Sequence, residues 1–101
     1  METVNAISKV RFASAKPQRV QLKHGGKLTG DLICMEPGQK LSVDSGEWIY
    51  YVVTGTAEFR AGQDVAELPT GQVASVDPGE AHTIACSGEQ RLVCVAVGRK
   101  P

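Results

Sequence analysis

Residues 71–82 read GQVASVDPGEAH, a short β-prone run followed by a Pro-Gly turn and a histidine. We predict one strand over residues 72–76 and a second that begins at His82. Pro78 presets one backbone angle of the turn, and Gly79 can adopt the positive φ that a tight turn needs. This stretch therefore predicts two strands joined by a tight turn, with an ionisable side chain where the second strand begins.

The same pattern continues in both directions along the chain. Apolar residues recur with period two or in short solid runs, and turn residues interrupt them about every ten residues. The predicted strands are 19–23, 27–35, 40–43, 48–53, 57–60, 64–67, 72–76, 82–86 and 91–97. No segment shows the apolar periodicity of an amphipathic helix, so the predicted fold class is all-β. Because so many short strands must pair their edges, we expect a two-sheet jelly-roll barrel.

Length and composition limit the chain to one small globular domain. With 101 residues, it can bury roughly two-thirds of its unfolded surface and has no room for a second domain. The apolar fraction is 42%, and eleven basic residues balance eleven acidic ones, which excludes a disordered or nucleic-acid-coating chain. We place the barrel domain at residues 16–101. Residues 1–15 are weakly patterned and are predicted to form an N-terminal arm or edge strand, which a neighbouring subunit could share.

Basic residues are concentrated near the amino terminus. Six of them face a single acidic residue, Glu2, across the first 27 positions. Lysines that keep an edge strand soluble explain this better than a phosphate-bearing partner does, so we predict no nucleic-acid binding. A further alternative is an interaction module whose basic arm docks a partner.

The sequence contains no recognisable membrane or secretion segment, and we expect the protein to stay in the cytoplasm. No apolar run is long enough to cross a bilayer, and METVNAISKV at residues 1–10 lacks the apolar core of a signal peptide. Cys34, Cys86 and Cys94 are far apart among apolar neighbours, which indicates reduced core thiols instead of disulfides.

Several common catalytic and binding motifs are missing from the sequence. HGGKLTGD at residues 24–31 lacks the GK[ST] ending and the following helix of a phosphate loop, so we predict a hairpin turn there. His24 is accordingly predicted to be a turn residue and not a ligand. There is no HExxH, GxSxG or cysteine-rich zinc spacing, and Ser42 and Ser75 have no visible base partner for a serine triad.

Four turn motifs occur in a specific order and spacing. Pro37-Gly38 opens a strand, residues 48–55 read WIYYVVTG, residues 68–72 read LPTGQ, and residues 77–82 read DPGEAH, a PxGxxH motif. Over about residues 32–97, this pattern resembles a small single-domain cupin. The resemblance implies a double-stranded β-helix, which is a jelly-roll barrel with a pocket at one mouth, and a homodimer.

The resemblance also defines where a metal would bind. Metal-binding cupins carry a His-x-His pair and a glutamate in the first motif and a histidine in the second. The corresponding positions here are Ser42, Asp44, Trp48 and His82, so three of the four ligands are replaced. A one-residue shift of the turn would place Leu41 and Val43 at the histidine positions and bring Glu47 closer to the glutamate position.

The residues that remain make a weak metal site. Alternate residues on a strand share a face, so His82, Ile84 and Cys86 are expected to point the same way. The possible metal ligands that remain are Asp44, His82 and Cys86, with Glu47 as a spare. Because transition metals bind imidazole strongly, a set with only one histidine is weak. The indole of Trp48, at the glutamate position, fills the volume that a metal and its open coordination position require. We therefore predict no tightly bound metal and no cofactor.

The predicted site is a pocket inside the barrel that binds a small organic molecule. Its residues are Ser42, Asp44, Trp48, Tyr50, His82 and Cys86. Tyr50 shares the face of Trp48 by strand alternation, and aromatic walls with a few polar groups are typical of small-molecule pockets. Two plainer alternatives remain open: the aromatics are ordinary core, or His82 only pins its turn through a hydrogen bond to a loop carbonyl.

The sequence assigns no enzyme activity. One alternative is a metal-dependent oxygenase or isomerase that uses His82, Asp44 and Cys86. Another is a metal-free isomerase or lyase with His82 as general acid or base, its charged form favoured by a nearby Asp44. The last strand is apolar on both faces, which predicts a covering sheet or subunit and favours a homodimer.

Overall fold

The computed structural model describes residues 1–23 and 25–99, so the turn role predicted for His24 lies outside the described residues. Within these residues the chain forms nine β-strands and one short 3-10 helix, η1, over Ile7–Lys9. The strands are β1 Gln18–Lys23, β2 Thr29–Met35, β3 Lys40–Val43, β4 Glu47–Thr54, β5 Thr56–Ala61, β6 Asp64–Pro69, β7 Val73–Val76, β8 His82–Cys86 and β9 Leu92–Arg99. The all-β prediction is confirmed, and each predicted strand end lies within two residues of the observed end.

The strands form two antiparallel sheets. The larger sheet has the order β1-β2-β9-β4-β7, and the smaller sheet has the order β3-β8-β5-β6. The last strand therefore lies at the centre of the larger sheet, paired with β2 on one side and β4 on the other. The inner faces of the two sheets share one apolar core, which confirms the jelly-roll expectation. Strands β6 and β7 each lie at an edge of their sheet.

Strand alternation sorts the side chains between the inside and the outside of the barrel. In β4, Trp48, Tyr50 and Val52 are buried, whereas Ile49 and Tyr51 are exposed, as the sequence predicts. The largest buried side chains of the inner core are Trp48, Tyr50, Ile33, Met35, Ile84 and Leu92. Apolar burial of this kind supplies most of the stability of a small β-domain.

The outer face of the larger sheet carries a second, smaller apolar cluster. Leu32, Cys34 and Val93 are buried there, and Val10 and Phe12 of the N-terminal segment pack against them. The last strand is therefore apolar on both faces, as predicted, because Leu92, Cys94 and Ala96 belong to the inner core.

The amino-terminal residues cover part of this outer face. Within the single chain, residues 1–15 form no strand, and the only regular element there is η1. The Gln39 side-chain amide donates to the Ala13 carbonyl oxygen at 2.7 Å. This hydrogen bond and the packing of Val10 and Phe12 attach the arm to the barrel.

All three cysteines are free and buried, as expected for core thiols. Burial raises the pKa of the Cys94 thiol to about 12. Among the described residues, no helix has the length and apolar character needed to cross a membrane.

Candidate functional site

His82 lies at the start of β8 and faces the interior of the barrel. Only 4% of its surface is exposed, and its strand neighbour on β3 is Val43. A buried imidazole needs hydrogen-bond partners for its two ring nitrogens, because an unpaired buried polar atom is costly. The hydrogen bonds of this ring therefore define what the site can do.

Both ring nitrogens of His82 have partners. Nδ1 lies 2.9 Å from the backbone carbonyl oxygen of Glu80, and Nε2 lies 2.5 Å from the hydroxyl oxygen of Tyr50. Since a carbonyl oxygen can only accept, Nδ1 carries a proton, and in the neutral ring Nε2 is then the acceptor. Burial raises the pKa of the Tyr50 hydroxyl above its ordinary value, so this hydroxyl keeps its proton and donates it to Nε2.

The Tyr50–His82 hydrogen bond joins the two sheets, because Tyr50 belongs to β4 of the larger sheet and His82 to β8 of the smaller one. The Tyr50 ring also lies 5.1 Å from Phe59 and 6.2 Å from Trp48, measured between ring centroids. The Trp48 indole nitrogen donates to the Ser45 carbonyl oxygen at 2.9 Å. Trp48 and His82 thus face the interior from opposite sheets, as the sequence pattern indicates, and the histidine also pins its turn through Glu80.

The structure places Ser42 and Asp44 away from this interior. Both are exposed, whereas Val43 between them is buried in the inner core. Of the two alignments of the turn considered for the sequence, the one that puts Leu41 and Val43 on the inside is therefore observed. The physical reason is that burying a carboxylate without a partner costs far more than burying a valine. Asp44 and Ser42 do not line the barrel interior with His82.

Cys86 is on the inner face but at the other end of β8. Cys86 lies four positions after His82, which is about 13 Å along an extended strand. Its thiol donates to the Gln90 carbonyl oxygen at 3.2 Å, and burial raises its pKa. A shared face therefore does not bring the two side chains together.

The spare ligand Glu47 is also outside the barrel interior. It is exposed and its carboxylate lies 3.4 Å from Nη2 of Arg99. In the part of the chain that the structure describes, no group of three or more His, Cys, Asp or Glu side chains is placed to hold a metal ion. The predicted trio of Asp44, His82 and Cys86 is not assembled.

A metal at the position used by metal-binding cupins does not fit the residues present. The acceptor nitrogen of His82 is already bonded to Tyr50. The Trp48 indole occupies the glutamate position, and the remaining two positions carry outward-facing Ser42 and Asp44. One imidazole whose acceptor nitrogen is already hydrogen-bonded, without an assembled set of three ligands among the described residues, is a poor site for a transition metal.

A cavity of about 330 Å³ reaches His82 from the side of the barrel where the edge strands β6 and β7 face each other. We call it the edge cavity. Its wall includes Phe59, Ala66, Ala74, Val76, Glu80 and His82. Ala66 and Ala74 are small residues that point inward on the two edge strands, since Ala66 pairs with Phe59 and Ala74 pairs with Tyr50. Their short side chains leave the gap through which the cavity opens.

A second and larger groove of about 720 Å³ lies on the outer face of the larger sheet. Its wall is mainly apolar and is formed by the arm residues Ile7, Val10 and Phe12 together with Val53, Val93 and Val95. No histidine, cysteine or carboxylate lines it among the described residues. Its polar lining residues are Thr54, Gln90 and Arg91, none of which is a usual general acid or base, so we take the edge cavity, which reaches His82, as the candidate site.

The buried carboxylate of Asp31 forms an ion pair with the more exposed Arg19, a pair that the sequence pattern does not reveal. Nε of Arg19 donates to Oδ2 of Asp31 at 2.7 Å, and the guanidinium lies 4.9 Å from the centre of the Trp48 ring. The arginine therefore covers the indole and closes this part of the barrel. The available signal was Asp31 itself, a carboxylate at the start of the apolar run LICM. Its partner could not be chosen from the sequence, because several basic residues precede it.

Comparison with known proteins identifies the same fold. The family model described as Cupin domain matches residues 29–98. No curated protein matches the chain.

Several solved structures are similar over nearly the whole chain. The TT1209 protein of Thermus thermophilus is 21% identical with a TM-score of 0.91, covering 99% of this chain and 98% of that one. An uncharacterised conserved protein with a double-stranded β-helix domain from Klebsiella pneumoniae is 23% identical with a TM-score of 0.87, covering 99% and 90%. An RmlC-like cupin protein from Desulfovibrio desulfuricans is 22% identical with a TM-score of 0.78, covering 97% and 96%. Likeness at these identities establishes the fold alone.

Proposed function

Because the chain belongs to the cupin domain family, we propose that it binds a small organic molecule in its edge cavity without a tightly bound metal ion. The observation that supports this most directly is a cavity of about 330 Å³ that reaches the buried His82 through mostly apolar walls. Small-molecule sites typically have such a volume and combine apolar walls with a few polar groups.

The proposal assigns different roles to the six residues predicted as ligand-binding. His82 lines the cavity, the Tyr50 hydroxyl is hydrogen-bonded to Nε2 of His82, and the Trp48 ring stacks against the Tyr50 ring. Ser42 and Asp44 are exposed outside, and Cys86 lies at the opposite end of β8, so the proposed site leaves them out.

Filling the cavity tests the proposal. Ala74→Leu places a larger side chain in the opening between β6 and β7, so we expect it to abolish the binding of fragments whose NMR shifts map to Phe59, Val76 and His82. Val73→Leu is the matched control, because Val73 is the neighbouring residue on the same strand and points outward. Fragment binding that survives Ala74→Leu unchanged would contradict the edge cavity as the site.

The metal-free part of the proposal has a separate test. Elemental analysis of the purified full chain is expected to find less than about 0.1 equivalent of iron, nickel, zinc or manganese, since one imidazole alone is a weak ligand set. A near-stoichiometric content of any of them would overturn this part and favour the metal-dependent oxygenase or isomerase alternative.

Acid-base catalysis by His82 is the second candidate function. The Tyr50–His82 hydrogen bond favours it, because it gives the imidazole a buried proton donor at the inner end of the cavity. A substrate would have to replace the hydroxyl at Nε2 before it could exchange a proton with the ring. Loss of turnover in His82→Gln with an unchanged melting temperature, once a substrate is known, would support this candidate over a purely structural histidine.

We also propose that the protein is a homodimer formed through the outer face of its larger sheet. Five large apolar side chains are exposed there on β4, β7 and β9, namely Ile49, Tyr51, Val53, Val73 and Val97. The chain's own arm covers only the other part of this face. Val4 and Ile7 of the arm are exposed as well, so each chain offers both an uncovered sheet and an apolar segment to a second copy.

A cytoplasmic location is the last part of the proposal. Cys34, Cys86 and Cys94 are free and buried, which suits a compartment where thiols are kept reduced. Fractionation of cells that express the tagged full chain would test this, and recovery in a membrane or secreted fraction would contradict it.

A further inference from the structure

We propose that the edge cavity selects a small organic cation, an amine attached to an apolar body, over an anion of the same shape. This inference names the ligand class of the proposed site and therefore rests on the proposed function. It follows from the charges that line the cavity and from how those charges are paired among the described residues.

Two carboxylates of the cavity wall lack an ion-pair partner. Asp64 begins β6 and Glu80 lies in the loop before β8, and neither forms a salt bridge with any described residue. Arg60 also lines the cavity, but its Nε donates to Glu58 at 2.8 Å, so its charge is already compensated. With Arg60 counted together with its partner Glu58 as neutral, two carboxylate charges remain at the cavity wall, those of Asp64 and Glu80.

Glu80 is held in place by its backbone. Its carbonyl oxygen accepts the proton of His82 Nδ1, and its amide donates to the Asp77 carbonyl oxygen at 3.1 Å. The side chain is half-buried at the cavity wall. Because the backbone of Glu80 is fixed on both sides, its side chain extends from a defined point on the cavity wall.

The basic residues of the chain do not cancel the negative charge of the cavity wall. The cations of the arm belong to a segment that packs on the outer face of the larger sheet, and those of β1 lie at the opposite edge of that sheet from β7. Four strand spacings separate β1 from β7, about 19 Å, whereas the Debye length at physiological salt is about 8 Å. Arg19 of β1 lies over Trp48, and its charge is paired with that of Asp31.

The apolar part of the wall accounts for the rest of the ligand. Phe59, Val76, Ala66 and Ala74 offer a surface for a hydrocarbon body, and an aromatic ring attracts a cation in addition. An anion of the same shape would gain the same apolar contact but would meet two uncompensated carboxylates. Because these carboxylates are partly exposed to water, each is expected to change affinity by only about 2–5-fold.

Three probes of similar shape test the inference in the full chain. Benzylamine carries a positive charge, benzyl alcohol is neutral and benzoate is negative, and each is titrated by NMR at about pH 8. We expect benzylamine to bind at least about 5-fold more tightly than benzoate at low salt, with the preference falling as salt rises.

Charge-neutralising variants identify the residues responsible. Asp64→Asn and Glu80→Gln each are expected to reduce the benzylamine preference about 2–5-fold. Glu67→Gln is the matched control, because Glu67 is an exposed carboxylate on β6 outside the cavity wall, and it is expected to leave the preference unchanged. A benzoate affinity equal to that of benzylamine, or a preference that both variants leave intact, would overturn the inference.

The neutral probe separates this inference from the proposed function. Benzyl alcohol that binds in an Ala74→Leu-sensitive manner, with benzylamine no tighter, would retain the cavity as a binding site and refute cation selection. If none of the three probes binds in an Ala74→Leu-sensitive manner, both the proposed function and the inference fail.

Discussion

The hydrogen bond between Tyr50 and His82 sets the chemistry of the barrel interior. Each ring nitrogen of His82 has a partner, so the side chain can be buried at 4% exposure without an unsatisfied polar atom. The same arrangement leaves no free nitrogen for a metal. A residue that occupies a metal-ligand position in other cupins therefore joins the two sheets here.

Tyr50→Phe tests the contribution of this hydrogen bond to stability. It removes the hydroxyl and leaves Nε2 of His82 without a donor, so we expect the free energy of unfolding to fall by about 1–3 kcal/mol in urea denaturation near pH 7. Tyr51→Phe is the matched control, because Tyr51 is the next residue and is exposed, and its change is expected to stay within about 0.5 kcal/mol. Equal losses in both variants would contradict the role given to the Tyr50 hydroxyl.

Buried acids make the protein sensitive to alkali. Burial raises the pKa of Cys94 from 9.0 to about 12, so between these values the unfolded thiol loses its proton while the folded thiol keeps it. The stabilising effect is complete below pH 9 and is lost as pH rises, by about 1.4 kcal/mol per pH unit for one group. Tyr50, whose pKa burial also raises, adds a loss at still higher pH.

Urea denaturation at a series of pH values checks this sign. The wild-type free energy of unfolding is expected to fall above pH 9. The free energy of unfolding of Cys94→Ala is expected to fall less steeply there, whatever its value at neutral pH. A variant slope equal to that of the wild type would show that Cys94 does not carry the effect.

At the scale of elements, the close approach of β4 and β9 determines how the barrel closes. The Trp48 indole lies over Gly98, and a Cβ at that glycine would overlap both the ring and the Glu47 carbonyl oxygen. On the other side, Arg19 covers the same indole. Gly98 in the central strand leaves room for the Trp48 indole, the largest side chain of the core, and Arg19 of β1 covers that indole.

Gly98→Ala is therefore expected to be strongly destabilising. The new methyl group meets backbone and a packed ring, neither of which can move easily, so we expect a loss of about 3 kcal/mol or failure to fold. Gly88→Ala is the matched control, because its Cβ would lie 3.5 Å from the nearest atom, a Thr56 side-chain carbon, and it is expected to be close to neutral. Thermal unfolding followed by circular dichroism measures both, and a Gly98→Ala melting temperature equal to that of the wild type would refute the packing argument.

At the scale of the whole molecule, the two faces of the larger sheet have different tasks. The inner face contributes to the core and to the wall of the edge cavity. The outer face is apolar but only partly covered by the arm. An uncovered apolar sheet next to an apolar arm is the arrangement that supports the proposed homodimer.

Lysine substitution on the uncovered face tests the dimer. The wild-type chain is expected to sediment as a dimer at about 50 µM, and Ile49→Lys is expected to shift it to a monomer because a charge at the centre of a two-fold interface meets its own copy. Val65→Lys is the control, since Val65 is equally exposed but lies on the smaller sheet. A monomeric wild-type chain would contradict the proposal.

The fold and the inner face of β4 could be predicted from local signals. Period-two alternation and turn residues depend only on neighbours in the sequence, so strand ends and the burial of Trp48 and Tyr50 follow from the pattern. The alignment of β3 was not decided this way. Ser42 and Asp44 alternate as regularly as Leu41 and Val43, and only packing against β8 selects the apolar pair for the inside.

The sequence by itself therefore determined the all-β class, the strand positions and an inward-facing His82, because these follow from local spacing and from the motifs shared with cupins. Only the tertiary structure decided that Tyr50 holds this histidine, that Arg19 pairs with Asp31 over Trp48, and that small residues on β6 and β7 open a cavity. The physical reason is that these contacts join residues of different strands or opposite sheets, and the distance between such residues depends on how the whole barrel packs.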